Sequence, residues 1–271
     1  ARELADQHKT LDVDGGTIKL DGNYPVATNN VALGDTALDS LTSGNHNTAI
    51  GNDALTANTS GSNNTAMGRD ALKANVTSNN NTAVGASVLQ SSTGANNTGV
   101  GAGAFAANTS GASNTAVGKD ALGSNSTGND NVAVGQQALE DNTANANTAV
   151  GYAAMYQNTS GTSNVGLGYL ALSLNTTANL NTAVGYSGLK VNTTGANNVA
   201  IGGSALDANT TASNNVAVGT WALTENSTGA NNVAIGREAL QANTTASYNT
   251  AVGHQAGYAN TTGARNVALG S

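Results

Sequence analysis

A 17-residue unit returns along almost the whole chain, and no other property of the sequence constrains the fold as much. The copy at residues 114–130 reads N-T-A-V-G-K-D-A-L-G-S-N-S-T-G-N-D. Later copies open at Asn131, Asn147, Asn164, Asn181, Asn198, Asn215, Asn232, Asn249 and Asn266. Earlier ones open at Asn97, Asn81, Asn64, Asn47 and Asn30. There are 14 full copies and a fifteenth that stops at Ser271; those at Asn81 and Asn131 have 16 residues, the other twelve 17. A short fixed period sustained over this length predicts a stack of coils, each resting on its neighbours.

The columns of the repeat can be read physically. Position 1 is Asn and position 5 is Gly in every copy, and position 4 is aliphatic throughout. Position 9 is Leu in eleven copies, with Phe105, Met155 and Gly257 as the exceptions, while positions 6, 7, 10 and 11 vary freely. Positions 2 to 4 alternate Thr or Val, Ala, then Val, Ile or Leu, which predicts a short strand with bulkier residues on one face and Ala on the other. Gly at position 5 ends it, since that backbone must enter a region a Cβ disfavours. Ala-Leu at positions 8 and 9 predicts a second short strand or an extended corner, and N-T-[ST]-G the return turn. The Gly, Asn and Thr content leaves no good helical window. The predicted class is all-β: a β-solenoid, or parallel β-roll, with one repeat per coil.

Stacked coils turn each column into a ladder at about 4.8 Å. Asn at position 1 is then expected to bond to the Asn above and below, and the Leu, Val and Ala columns to fill a thin interior. About two large apolar side chains per repeat make a sparse core for a lone chain. The small residues at positions 3 and 8 would let another chain approach closely. The expectation is therefore a homotrimer, intertwined or side by side, with the Ala columns near a shared axis.

Residues 1–29 lie outside the repeat and read as a β-structured cap or adaptor to the solenoid at 30–271. T-L-D-V-D alternates, G-G interrupts, and T-I-K-L alternates again at residues 17–20. Asp21-Gly22 is a turn signal, and Pro25, the one proline, stands just before the first repeat. The chain opens at Ala1 rather than Met, which reads as a processed or partial chain.

Composition excludes several classes. Only 9% of residues are charged and the net charge of −7 is thinly spread, so no basic face exists for nucleic acid. No apolar run is long enough for a membrane-spanning helix, and the absence of cysteine excludes a disulfide framework. His8, His46 and His254 are far apart in the stack, leaving nothing for a nucleophilic triad, so no catalytic residue is assigned. Asp53 with Asp70, or Asp120 with Asp141, could meet on neighbouring coils, but carboxylates in variable columns read as solvated decoration. The G-G-x-G-x-D calcium repeat is absent, and neither metal nor cofactor is expected.

Two columns remain as candidates. Eleven copies carry an N-x-[ST] sequon at position 12: Asn58, Asn75, Asn108, Asn125, Asn158, Asn175, Asn192, Asn209, Asn226, Asn243 and Asn260. They form either a glycosylated stripe or a turn and ladder that use Asn and Thr for their own bonding, and the second is favoured. Tyr152, Tyr169 and Tyr186 occupy position 6 in three successive coils, and Trp221 position 7 two coils later. Exposed aromatics anchor sugars or partner proteins, or simply pack on one another. A Thr-rich flat face is also similar to those of ice-binding solenoids.

N-V-A-I-G at residues 198–202 and 232–236 resembles the core motif of trimeric autotransporter adhesin heads. The longer Y-S-G-L-K-V-N-T-T-G-A-N-N-V-A-I-G is still more similar to repeats of bacteriophage tail fibres, and G-T-I-K-L-D-G-N-Y-P-V at residues 16–26 resembles the segment leading into them. The resemblance implies a homotrimeric, non-enzymatic shaft on a virion or other extracellular surface, spacing a receptor-binding tip from fibre or baseplate partners. A bacterial adhesin binding host glycans or proteins is the alternative, and a fibre-borne polysaccharide depolymerase a lesser one. No coiled-coil stalk, β-barrel anchor or terminal chaperone domain is seen, which counts against the autotransporter.

Overall fold

Every coil contributes one three-residue strand, the tripeptide at positions 2 to 4, and equal positions of neighbouring coils face each other. The computed structural model describes residues 10–13, 16–19 and 29–270, the first two stretches as backbone. The chain divides into two units, Ala1–Thr127 and Gly128–Ser271. In the first, β1 (Thr10–Val13) pairs antiparallel with β2 (Gly16–Lys19). β2 lies antiparallel against β3 (Val31–Leu33), with Ile18 opposite Leu33. Then β4 (Thr48–Ile50), β5 (Thr65–Met67), β6 (Thr82–Val84), β7 (Thr98–Val100) and β8 (Thr115–Val117) follow in one parallel ladder. Asp21-Gly22, Pro25 and the polar residues 1–9 lie outside the described residues.

The second unit repeats the arrangement. Its ladder comprises β9 (Val132–Val134), β10 (Thr148–Val150), β11 (Val165–Leu167), β12 (Thr182–Val184) and β13 (Val199–Ile201). It continues through β14 (Val216–Val218), β15 (Val233–Ile235), β16 (Thr250–Val252) and β17 (Val267–Leu269). Both units are parallel β-solenoids, and among the described residues there is no helix.

The coil at residues 198–214 shows how so short a strand is held. Its backbone N–H groups bond to both neighbours well beyond the strand. Val199 donates to the Asn215 carbonyl at 2.8 Å, Leu206 to Ala222 at 3.0 Å and Thr210 to Ser227 at 3.1 Å. Toward the preceding coil, Gly202 donates to Val184 and Ser204 to Tyr186, both at 2.8 Å, and Asn214 to Ala196 at 3.0 Å. The ladder thus runs round most of the coil, which satisfies backbone groups that a three-residue strand would leave open.

Corners differ from the sequence expectation. Gly202 ends β13 at φ +135°, and a Cβ there would lie 2.6 Å from backbone atoms of Gly219. The other corners are left-handed residues that are not glycine: Ser204 (φ 52°), Leu206 (φ 53°) and Asn214 (φ 62°), at positions 7, 9 and 17. The N-T-[ST] run itself has no positive φ, so the return corner falls at position 17. Ala-Leu is likewise no second strand. Ala205 N–H bonds to the Gly202 carbonyl at 3.4 Å and Asn209 N–H to Leu206 at 3.1 Å, two successive turns. A left-handed Leu costs about 1–2 kcal/mol, offset by burying its side chain and by its bond to the next coil.

The interior is also assigned differently. Ala at positions 3 and 8 and Leu at position 9 are the buried columns, as in Ala200, Ala205 and Leu206, each 0% exposed. Val, Ile, Leu and Met at position 4 point outward, many of them about 40% exposed: Met67, Val150, Ile201, Ile235 and Val252. A strand alternates its faces, and the coil is so narrow that only the small residue fits inside. The Ala columns are therefore consumed within their own chain and cannot line an axis shared between copies; the position-4 aliphatics are not core.

Core volume is balanced between adjacent coils. Where Ala at position 8 becomes Val88, Ala at position 3 of the next coil becomes Gly99, whose Cβ would lie 2.5 Å from Val88 Cγ1. Where Leu at position 9 becomes Met155, the next coil supplies Gly166, whose Cβ would lie 2.9 Å from Met155 Cγ.

Candidate functional site

Register alone builds the aromatic column. Position 6 follows the Gly corner and points outward, so tyrosines in three successive coils are forced to lie over one another. Tyr152 and Tyr169 stack with centroids 5.3 Å apart at 15°, and Tyr169 and Tyr186 at 5.3 Å and 5°. These separations are within the range of attractive aromatic pairs. The three rings are thus brought together as the sequence suggested. Trp221 is not part of that stack. It belongs to position 7, is 41% exposed, and carries the Arg237 guanidinium 5.3 Å from its ring centroid. That cation–π pair, and the one between Arg265 and Tyr248 at 5.6 Å, went unnoticed in the sequence. The signal that would have found them is an Arg 16 or 17 residues after an aromatic.

The sequon column is interior. Asn58, Asn75, Asn108, Asn125, Asn158, Asn175, Asn192, Asn209, Asn226 and Asn243 are all 0% exposed, and only Asn260 reaches solvent. In the coil at 198–214, Asn209 Nδ2 donates to Asn192 Oδ1 at 2.9 Å and to the Ala212 carbonyl at 3.1 Å. A glycan on such a nitrogen has no space in the folded coil. Position 1 bonds differently: Asn198 Oδ1 accepts the backbone N–H of Asn215 at 3.0 Å, and its Nδ2 donates to the Ala212 carbonyl at 2.8 Å. The repeating side-chain amide ladder is therefore at position 12, and position 1 mainly ties side chain to backbone.

Of the carboxylate pairs, Asp53 and Asp70 do meet, with Lys73 Nζ 2.9 Å from each. Thr36 Oγ1 also donates to Asp53, and these hydrogen bonds, Thr36 first and Lys73 second, hold the Asp53 carboxyl below its ordinary range. The Lys73 ammonium is raised in turn, by Asp70 and then Asp53. Two carboxylates bridged by one lysine on neighbouring coils are placed to brace those coils. Asp120 pairs with Lys119 at 3.3 Å in the first unit, and Asp141 lies in the second.

Asp207 has the opposite perturbation. Burial raises its carboxyl and the nearby Lys190 partly counters this. It lines an open hollow of about 400 Å³ with Lys190, Val191, Ala208, Thr224 and Glu225. His46 Nε2 lies 3.1 Å from Asn29 Nδ2, and His8 is outside the described residues. Among the described residues, no group of three or more His, Cys, Asp or Glu side chains is placed to hold a metal ion, and no helix is long and apolar enough to cross a membrane.

No protein-family model matches the chain, and no curated protein sequence matches it.

Proposed function

We propose that the chain is a structural shaft segment of a homotrimeric fibre, of the kind carried by phage tails or similar extracellular appendages, that spaces or presents a receptor-binding tip. The observation that supports it is the outward face of the parallel ladder. Position 4 offers Val, Ile, Leu or Met in every coil and position 2 offers Thr or Val, with no charge in either column. Aliphatic surface repeated at this regularity is costly to leave in water. A second and third copy would match it coil for coil, because only a partner with the same rise keeps register along the ladder. This face, not the Ala columns, is the one offered to other copies. Sedimentation of the whole chain tests the reading: the expected species has three times the 26.5 kDa chain mass, and a folded monomer overturns it.

The tyrosine stack favours a second reading, an adhesin whose surface binds a glycan or protein on a host cell. Replacing Tyr152, Tyr169 and Tyr186 together by Ala separates the two. A shaft keeps the attachment of its parent particle, whereas an adhesin loses it without a change in melting. Asp53 and Asp70 both bond to Lys73, an arrangement that supports a bracing role, and clearing of a polysaccharide by the purified chain would favour a depolymerase instead.

A further inference from the structure

The tyrosine column stops at a glycine. After Tyr152, Tyr169 and Tyr186, position 6 of the next coil is Gly203, and of the one beyond it Thr220. A Cβ placed on Gly203 would meet a single neighbour within contact range, Thr220 Cγ2 at 3.8 Å, so a rung is missing from the column. Tyr186 accordingly has one ring face against Tyr169 and is the most open ring, 62% exposed against 45% for Tyr169 and 43% for Tyr152. At the other end the column continues with Gln136, a side chain rather than a gap.

From this geometry we infer a sugar-binding slot: the gap over Gly203 takes one neutral pyranose ring, its apolar C–H face laid on Tyr186. The dimensions carry the assignment. Rings in this column repeat every 5.3 Å. Two coil rises of about 4.8 Å each separate the Tyr186 and Thr220 levels, and a ring midway would sit about 5 Å from Tyr186, within stacking range. A ligand ring therefore completes the stack as a fourth rung.

Chemistry selects the ring. From Tyr152 to Trp221, positions 6 and 7 hold Tyr, Ala, Leu, Ser, Gly, Thr and Trp, and no charged side chain. Arg237, which lies over Trp221, is already paired with Glu238 at 2.6 Å, so a charged ligand would lose hydration there without gaining a free counter-ion. Hydroxyl-bearing side chains adjoin the gap instead, Thr220 on one side and Tyr186 on the other, which suit a ligand that is apolar on its face and hydroxylated at its edge. Trp221, in the coil of Thr220, is 41% exposed with Arg237 over its ring, and the part of its surface that Arg237 leaves open is a second aromatic contact for an adjoining sugar. The slot lies within the unit Gly128–Ser271 and needs no second copy, so it stands apart from the trimer proposal.

Gly203 provides a clean test, because its φ is not positive and its Cβ has room. Gly203→Tyr should fill the slot with a protein ring while leaving the fold intact, which its melting curve verifies. Saturation-transfer NMR on the whole chain would use methyl β-glucopyranoside, methyl β-galactopyranoside and β-linked tetrasaccharides of each, with indole as an aromatic control. The proposal expects saturation at the apolar-face protons of at least one sugar probe. Its affinity should drop about tenfold or more in Gly203→Tyr and in Tyr186→Ala, and stay within about twofold in Tyr152→Ala. No sugar binding at tens of millimolar, sugar binding indifferent to Gly203→Tyr, or indole binding tighter than every sugar would each overturn it.

Discussion

Asn192 Nδ2 donates to Asn175 Oδ1 at 3.0 Å, and both side chains are wholly buried. Asn175 in turn donates to Asn158 at 2.7 Å and to the Ala178 carbonyl at 3.0 Å, so its amide serves three partners. Asn175→Ala should destabilise by about 1–3 kcal/mol, because the amide of Asn192 loses its acceptor in a dry interior. Denaturant titration measures this. Folded protein secreted from a glycosylating host should carry no glycan at the ten buried sequons, which peptide mapping checks.

Val88 and Gly99 should behave as a coupled pair. Gly99→Ala alone drives a Cβ to within 2.5 Å of Val88 Cγ1 and should cost about 1–3 kcal/mol by overpacking. Val88→Ala alone leaves a void and should also destabilise. The double variant restores the repeat consensus and should recover most of the loss, a coupling beyond about 1 kcal/mol in a double-mutant cycle. Additive effects would contradict the volume balance.

Leu139 and Val150 distinguish the inner from the outer columns. Leu139→Asp buries an unpaired charge and should cost more than about 3 kcal/mol, enough to melt the local coil. Val150→Asp, 39% exposed, should change the melting of an isolated chain by less than about 1 kcal/mol. In sedimentation it should disrupt assembly if its face packs on other copies. Equal melting shifts for the two variants would show the columns to be misassigned.

Asp207 gives a pH signature. Its folded carboxyl is raised above the ordinary 3.8, so its contribution is most favourable below that value and is lost as pH rises through the folded pKa. Asp207→Asn should therefore raise the melting temperature at neutral pH and have no effect in strong acid. The gain is small, about 0.5 kcal/mol or less, since half the group remains solvated and Lys190 offsets part of the burial. Thermal melts across pH follow it. Asp53 has the opposite sign: its lowered carboxyl contributes stability that falls away as pH drops.

Periodicity was enough to specify a coil of one repeat, the strand at positions 2 to 4, and a corner at Gly202 and its equivalents. It was not enough to say which face of that strand is inside. Tyr152, Tyr169 and Tyr186 were legible as a column because equal spacing becomes vertical stacking in any one-repeat coil. The slot beside them was not, since Gly203 looks like one more tolerated substitution until the ring above it is seen to end.

What the sequence by itself determined is everything that depends on the period: the parallel in-register ladder, the columns, and the recurrence of Asn, Gly and Leu at fixed places. Alternation in Thr-Ala-Val states only that Ala faces opposite to its neighbours, and hydrophobicity argues for Val inside. The tertiary structure decided the reverse. Left-handed corners at Ser204, Leu206 and Asn214 close the coil so tightly that its interior is already filled by Leu206 and the amides of Asn198 and Asn209. Only a methyl group can then enter from the strand, and the larger Ile201 is left on the surface.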